Sequence, residues 1–200
     1  MKNTVIRLMA TFSDGIGCTR GLAALLITLF ISSAPATEFS ADEVKAVYLF
    51  NFTSFISWPD DTFSDELEPF TYCSMGSQSA VIEPLGEILL GEKVGERAVQ
   101  YKTISSLSKL KSCQILYIDQ QQKVDVVEIL AAIADASVLT VSDIDGFAEQ
   151  GGGVEFSAKA GRIKLLINIL SIKKSRLNIS SKLLRIAELI NSPNEGNERW

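Results

Sequence analysis

The sequence predicts a single α/β domain: a mixed, mostly parallel sheet flanked by helices, with a β-hairpin and helices at its C-terminal end. Three observations predict it. Short β-branched and aromatic runs alternate with stretches of helical periodicity. A turn signal, Lys159-Ala160-Gly161, joins two of the runs into an antiparallel hairpin. From Thr37 to Trp200 the length suits one domain, and neither an internal repeat nor a linker divides it.

The first stretch reads as targeting. Lys2, Arg7 and Arg20 give a basic region, an apolar run follows from Gly21 through Ile31, and Ser32-Ser33-Ala34-Pro35-Ala36 ends it with small residues. This is the pattern of a secretory signal over residues 1–36, cleaved near Ala36. The rival is an uncleaved anchor, but the apolar run of 11 residues falls short of the ~20 that a spanning helix needs. Residues 1–36 carry three basic residues and one acid, Asp14. The remainder then holds 16 basic and 23 acidic residues, against 19 and 24 in the whole chain, a net charge of −7. A chain this acidic, with no basic stripe, is a poor match for nucleic acid.

Ser40 and Glu43 form a capping box that opens a helix carrying Val44, Val47, Tyr48, Phe52, Phe55 and Ile56 on one face. Leu49 and Phe50 widen that face, and Trp58-Pro59 ends the helix. An acidic loop follows from Asp60 to Glu68; its spacing does not match a calcium loop. Strands are expected at 70–75, 98–104, 113–118 and 137–141, and helices at 80–90 and 124–134, the latter with Val127, Leu130, Ala131 and Ala134 on one side. A short helix is expected at 143–150, stopped by Gly151-Gly152-Gly153, which reads as a turn needing positive φ rather than a phosphate loop. The hairpin pairs 154–158 with 162–169. A helix follows at 170–175, and a last one spans Ser181–Ile190 with Ser180 or Ser181 as N-cap. Residues 191–200 read as a polar, flexible tail.

The chain has no histidine. That removes Ser-His-Asp and Cys-His catalysis and histidine-ligated zinc, so no enzyme, cofactor or metal is expected. With Cys18 lost in the signal, Cys73 and Cys113 remain. An even pair in an exported chain favours a disulfide, and closing a loop of about 40 residues is worth roughly 4 kcal/mol in the chain-entropy account. Two buried free thiols are the alternative. Trp58 either plugs the core or lines a pocket. Asn168, an amide inside an apolar strand, needs partners; it either organises a loop or contacts a ligand in that pocket. Lys164, Leu166, Leu170, Ile172 and Arg176, with Lys173 and Lys174, mix apolar and basic side chains and form the expected partner surface. Alternatively, these apolar residues are core.

Several segments together resemble the YfiR family. They are Glu43 to Phe52 with Phe55-Ile56 and Trp58-Pro59, Cys113 to Ile118, Val138 to Ser142, Phe147-Ala148, Gly151-Gly152-Gly153, Ile167-Asn168 and Ile179 to Leu184. The resemblance runs from Glu43 to Leu189 in order. It implies a periplasmic regulator that binds the periplasmic part of an inner-membrane signalling protein, a YfiN-like diguanylate cyclase, and so lowers cyclic di-GMP and biofilm formation. It also maps the family's structural cysteine pair onto Cys73 and Cys113, with redox control through that bond. Family members also occur beside other membrane sensors, so a small-ligand module feeding a sensor kinase is the alternative. A homodimer and a small-molecule ligand stay open.

Overall fold

The computed structural model describes residues 39–75, 79–121, 125–159 and 161–190. The signal segment with Cys18, the tail at 191–200 and Ala160 of the turn signal lie outside the described residues.

Helix α1 (Ala41–Asn51) starts at the expected capping box. The Glu43 amide donates to Ser40 Oγ at 3.2 Å, and the Ser40 amide donates to Glu43 Oε2 at 2.6 Å. The helix ends earlier than expected. A 3-10 turn covers Phe52–Ser54, and strand β1 (Ile56–Ser57) follows. Thr53 Oγ1 donates back to the Phe50 carbonyl, and pairing of the next residues with a distant strand captures the chain before Pro59. The buried stripe also differs: Lys45, Ala46 and Leu49 face inward, while Val47 is exposed.

Strand β2 (Phe70–Met75) is buried along its whole length. Helix α2 (Ile82–Leu89) starts later than expected; Ser79 Oγ accepts from the Val81 amide just before it. A short strand, β3 (Lys93–Val94), which the sequence pattern did not signal, turns at Gly95 into β4 (Arg97–Ile104). A 3-10 stretch over Leu107–Ser112 leads to β5 (Ile115–Ile118). Cys113 therefore ends that stretch rather than opening the strand.

Helix α3 (Val126–Ala132) is capped by the Asp125 side chain, which accepts from the Val127 and Glu128 amides. Its buried residues are Val126 and Ile129, with Ile133 just beyond; Val127, Ala131 and Ala134 face outward and Leu130 is half-buried. The expected face was one residue out of phase. Strand β6 (Leu139–Ser142) comes next.

Residues 143–150 form successive turns, not a helix. Gly146 has φ 75°, and the Ala148 amide donates to the buried Glu155 carboxylate instead of to a helical carbonyl. Of the three glycines, only Gly151 has positive φ. Gly152 and Gly153 serve close packing: a Cβ on Gly152 would collide with the Phe147 ring, and one on Gly153 would lie 2.9 Å from the Thr140 carbonyl oxygen.

Strands β7 (Val154–Lys159) and β8 (Arg162–Asn168) form the expected hairpin. Helix α4 (Ile169–Lys174), β9 (Asn178–Ile179) and α5 (Ser181–Leu184) follow, with Ser180 capping α5. The expected helix over 181–190 stops after one turn. Glu188–Ile190 is strand β10, paired in parallel with Leu166 to Asn168 of β8. It satisfies a backbone edge that β8 would otherwise leave open.

The main sheet has eight strands in the order β10-β8-β7-β6-β5-β2-β4-β3. Neighbours run parallel except β7/β8 and β3/β4. One face packs Tyr72, Tyr117, Val141 and Phe156 under α1 and α2; the other packs Met75, Leu116 and Ile118 against α3, Leu110 and Phe147. Strands β1 and β9 form a separate antiparallel pair.

Candidate functional site

Strands β2 and β5 are direct neighbours, and Cys73 of β2 is bonded to Cys113 with Cα atoms 5.8 Å apart. Both cysteines are buried, 2% and 1% exposed, so neither sulfur is presented to solvent.

The residue after Cys113 extends this link. Gln114 is buried and engaged through its backbone and its side-chain oxygen. Its amide donates to the Thr71 carbonyl at 2.9 Å, and its side-chain Oε1 accepts from the Thr71 amide at 2.7 Å. Its carbonyl accepts from the Leu139 amide at 2.9 Å and from Trp58 Nε1 at 3.2 Å. The Trp58 ring stands edge-on to Phe70, centroids 4.8 Å apart. Cys113, Gln114 and Trp58 are thus one continuous chain of contacts. Sequence reasoning missed Gln114; a lone amide between a cysteine and an apolar strand was the available signal.

Trp58 reaches from this core to the surface. With Pro59, Asp60, Phe63, Asp65, Glu66 and Arg97 it lines a pocket of about 440 Å³. Arg97 lies 3.8 Å over the Phe63 ring and donates to the Asp65 and Glu68 carbonyls at 2.7 and 2.9 Å. Arg176, just past α4, donates to Asp61 Oδ2 at 2.7 Å and to Ser137 Oγ at 3.2 Å. Arg176 adopts φ 57°, a conformation that costs a non-glycine residue energy at a helix C-terminus. The loop is therefore held at two places. Three carboxylates line the pocket, and its one cation is already engaged, so it suits a ligand with a cationic group and a flat apolar part.

The sequence profile of a family described as YfiR/HmsC-like matches residues 42–188. The chain belongs to that family. The match spans nearly all of the segments that carried the resemblance. No curated protein matches this YfiR/HmsC-like chain. Among solved structures, it is similar to a conserved domain protein from Vibrio cholerae, at 13% identity and a TM-score of 0.43, over 76% of this chain and 60% of the other. The chain thus spans less than two thirds of that relative's length.

Asn168 is elsewhere. It is 1% exposed, caps α4 by accepting from the Ser171 amide at 3.0 Å, and donates to the Ala148 carbonyl at 2.8 Å. It does not line the Trp58 pocket. The expected partner surface is also divided. Leu166 and Ile172 are buried at 8% and 1%, because β8 and α4 pack them inward. Leu170 is half-buried, Lys164, Lys173 and Lys174 are exposed, and Arg176 is the clasp just described.

A second polar cluster sits at the carboxyl ends of β5 and β6. Lys45 Nζ donates to Asp143 Oδ2 at 2.7 Å and to Asp42 Oδ1 at 3.0 Å, while the Gln120 amide donates to Asp143 Oδ1 at 2.7 Å. Burial works against the ammonium, but its bonds and attraction to Asp143 and Asp42 outweigh it and hold the Lys45 pKa above the ordinary value. The nearby Tyr117 hydroxyl is buried without a hydrogen-bond partner among the described residues. Burial, and then the charges of Asp143 and Asp119, push that phenol well above the usual range.

Among the described residues, no group of histidine, cysteine or acidic side chains could hold a metal. No described helix is long and apolar enough to cross a membrane.

Proposed function

We propose that this protein is a non-enzymatic regulator in the periplasm. Residues 1–36 serve as its signal, residues 37–190 form the working domain, and residues 191–200 are a flexible tail. In this reading it binds the periplasmic part of an inner-membrane signalling protein, a YfiN-like diguanylate cyclase, and holds it inactive. Cyclic di-GMP and biofilm formation fall as a result. The observation that carries this reading is membership of the YfiR/HmsC-like family over residues 42–188. The buried Cys73–Cys113 bond fits an oxidising compartment.

Inhibition by contact alone is a shift in populations. The chain binds the inactive form of its partner more tightly than the active form, and moves the equilibrium only by that difference. The exposed lysines Lys164, Lys173 and Lys174, beside half-buried Leu170, are the part of the expected surface available for contact. Co-purification from solubilised membranes is the test. A tagged chain should recover an inner-membrane protein with a diguanylate cyclase domain. Recovery of a sensor kinase instead would keep the fold and change the pathway, and recovery of no membrane protein would refute the reading.

A second reading, a small-ligand module that feeds a membrane sensor, rests on the Trp58 pocket. Cationic amino acids and aromatic amines should raise the melting temperature of the wild-type chain. The gain should shrink in Trp58→Ala. No stabilisation by any of them would count against this reading.

A further inference from the structure

Strand β4 lies one place in from an edge of the main sheet, and β3 covers only its start. Arg97 and Ala98 pair with β3, and the Val99 amide donates to the Glu92 carbonyl at 3.2 Å. That bond shows which way the backbone points. Along a strand, alternate residues turn their N–H and C=O groups to the same side. Tyr101 and Thr103 therefore present theirs outward, as Val99 does, and away from β2. Among the described residues no strand pairs with that side of Tyr101 or Thr103. At the opposite end of the sheet Glu188–Ile190 cover β8. Here the edge is open, a template for an added strand.

The two faces beside this edge differ in charge. Lys102 is in register with Cys73, on the face where Ile104, Leu110 and Cys113 pack together. The 3-10 stretch over Leu107–Ser112 adjoins β4 and adds Lys109 and Lys111. All three lysines are exposed, and among the described residues none of them makes an ion pair. From Arg97 to Ile118 the chain has four basic residues and no acid, although its net charge is −5. On the other face Val99 and Tyr101 are half-buried against the core under α1 and α2, and α2 carries the exposed Glu83 and Glu87.

We propose that β4 accepts an extended segment of a partner protein as an added strand, one in which acidic residues alternate with apolar ones. The open backbone calls for an extended chain. Side chains of such a strand alternate between the two faces. Its acids then meet Lys102, Lys109 and Lys111, and its apolar residues meet Val99 and Tyr101. A segment acidic at every position would set half its charges against α2. Lys102 also guards the edge against β4 of a second copy, because equal charges would then be opposed. The strand site does not depend on the partner being a cyclase, and its failure would leave that reading untouched.

The probe is a fluorescein-labelled peptide of alternating glutamate and valine, about eight residues long, within the usual length of a strand. Titrated with the purified protein, it should show saturable binding by anisotropy, with a dissociation constant below about 1 mM. Amide hydrogen exchange at Tyr101 and Thr103, read by NMR, should slow at least about fivefold when the peptide is bound. Thr103→Pro removes an outward donor at an edge position where proline is tolerated, and should weaken binding at least about tenfold. Lys102→Glu changes only an exposed side chain, so it serves even if Thr103→Pro lowers the melting temperature. It should weaken binding similarly, and should bind a lysine–valine peptide better than the wild type does. No saturable binding to the wild type would overturn the proposal. So would binding indifferent to both substitutions, or slowed exchange confined to strands other than β4. Equal binding of an acidic peptide with proline in place of valine would also overturn it, because the lysines would then act only as a charged patch.

Discussion

Lys45 is 7% exposed and faces two carboxylates, one of them the buried Asp143. A buried pair adds little over a well-packed apolar pair, but removing one partner strands the other charge. Lys45→Met should therefore cost about 3 kcal/mol or more, measured by urea unfolding at neutral pH. The Lys45 pKa is raised, so its contribution is full below the unfolded lysine value of about 10.4 and fades as pH rises through the higher folded value. The wild type should lose stability above that pH, and Lys45→Met should lack that part of the loss. A wild-type urea midpoint that stays flat through this window would contradict the assignment. Residue identity alone could not show this pair. Lysine at position 45 reads as a solvated charge, and Asp143 lies 98 positions away in sequence. Asn168 was more legible, because an amide in an apolar strand requires partners wherever it sits.

Elements were legible where local pattern and tertiary pairing agree. Strand β2, the β7/β8 hairpin and the capped start of α1 all follow directly from the residues. They departed from the pattern where a distant partner decided. Ile56–Ser57 leave the helix to pair with β9, and Glu188–Ile190 leave it to cover β8. Helix faces were misjudged in α1 and α3 for one reason: these helices are apolar on more than one side, so periodicity does not say which side meets the sheet. The glycine run shows the same limit. Its packing role at Gly152 depends on the Phe147 ring, which local turn chemistry does not reveal. Gly152→Ala should destabilise by about 1–3 kcal/mol through overpacking. Gly86→Ala, with open space around it, should be neutral or stabilising. Equal melting temperatures for wild type and Gly152→Ala would refute the packing role.

At the scale of the molecule, the disulfide joins β2 to the segment leading into β5, and the sheet order changes direction between these two strands. Connections from β2 run outward to β4, and the chain then returns to place β5 on the other side. The bond thus ties the two halves of the sheet, with Gln114 carrying the tie to Trp58. Removing it by Cys73→Ser should cost about 2–5 kcal/mol. Folding and repression unchanged in that variant would make the bond mere reinforcement. Under the proposed function, the chain restrains a cyclase from the periplasmic side of the inner membrane. Cellular cyclic di-GMP, measured in cells lacking the gene and in the same cells supplied with the wild-type chain, tests it most directly. The level should rise on deletion and fall again when the chain is supplied. An unchanged cyclic di-GMP level in cells lacking the gene would contradict it.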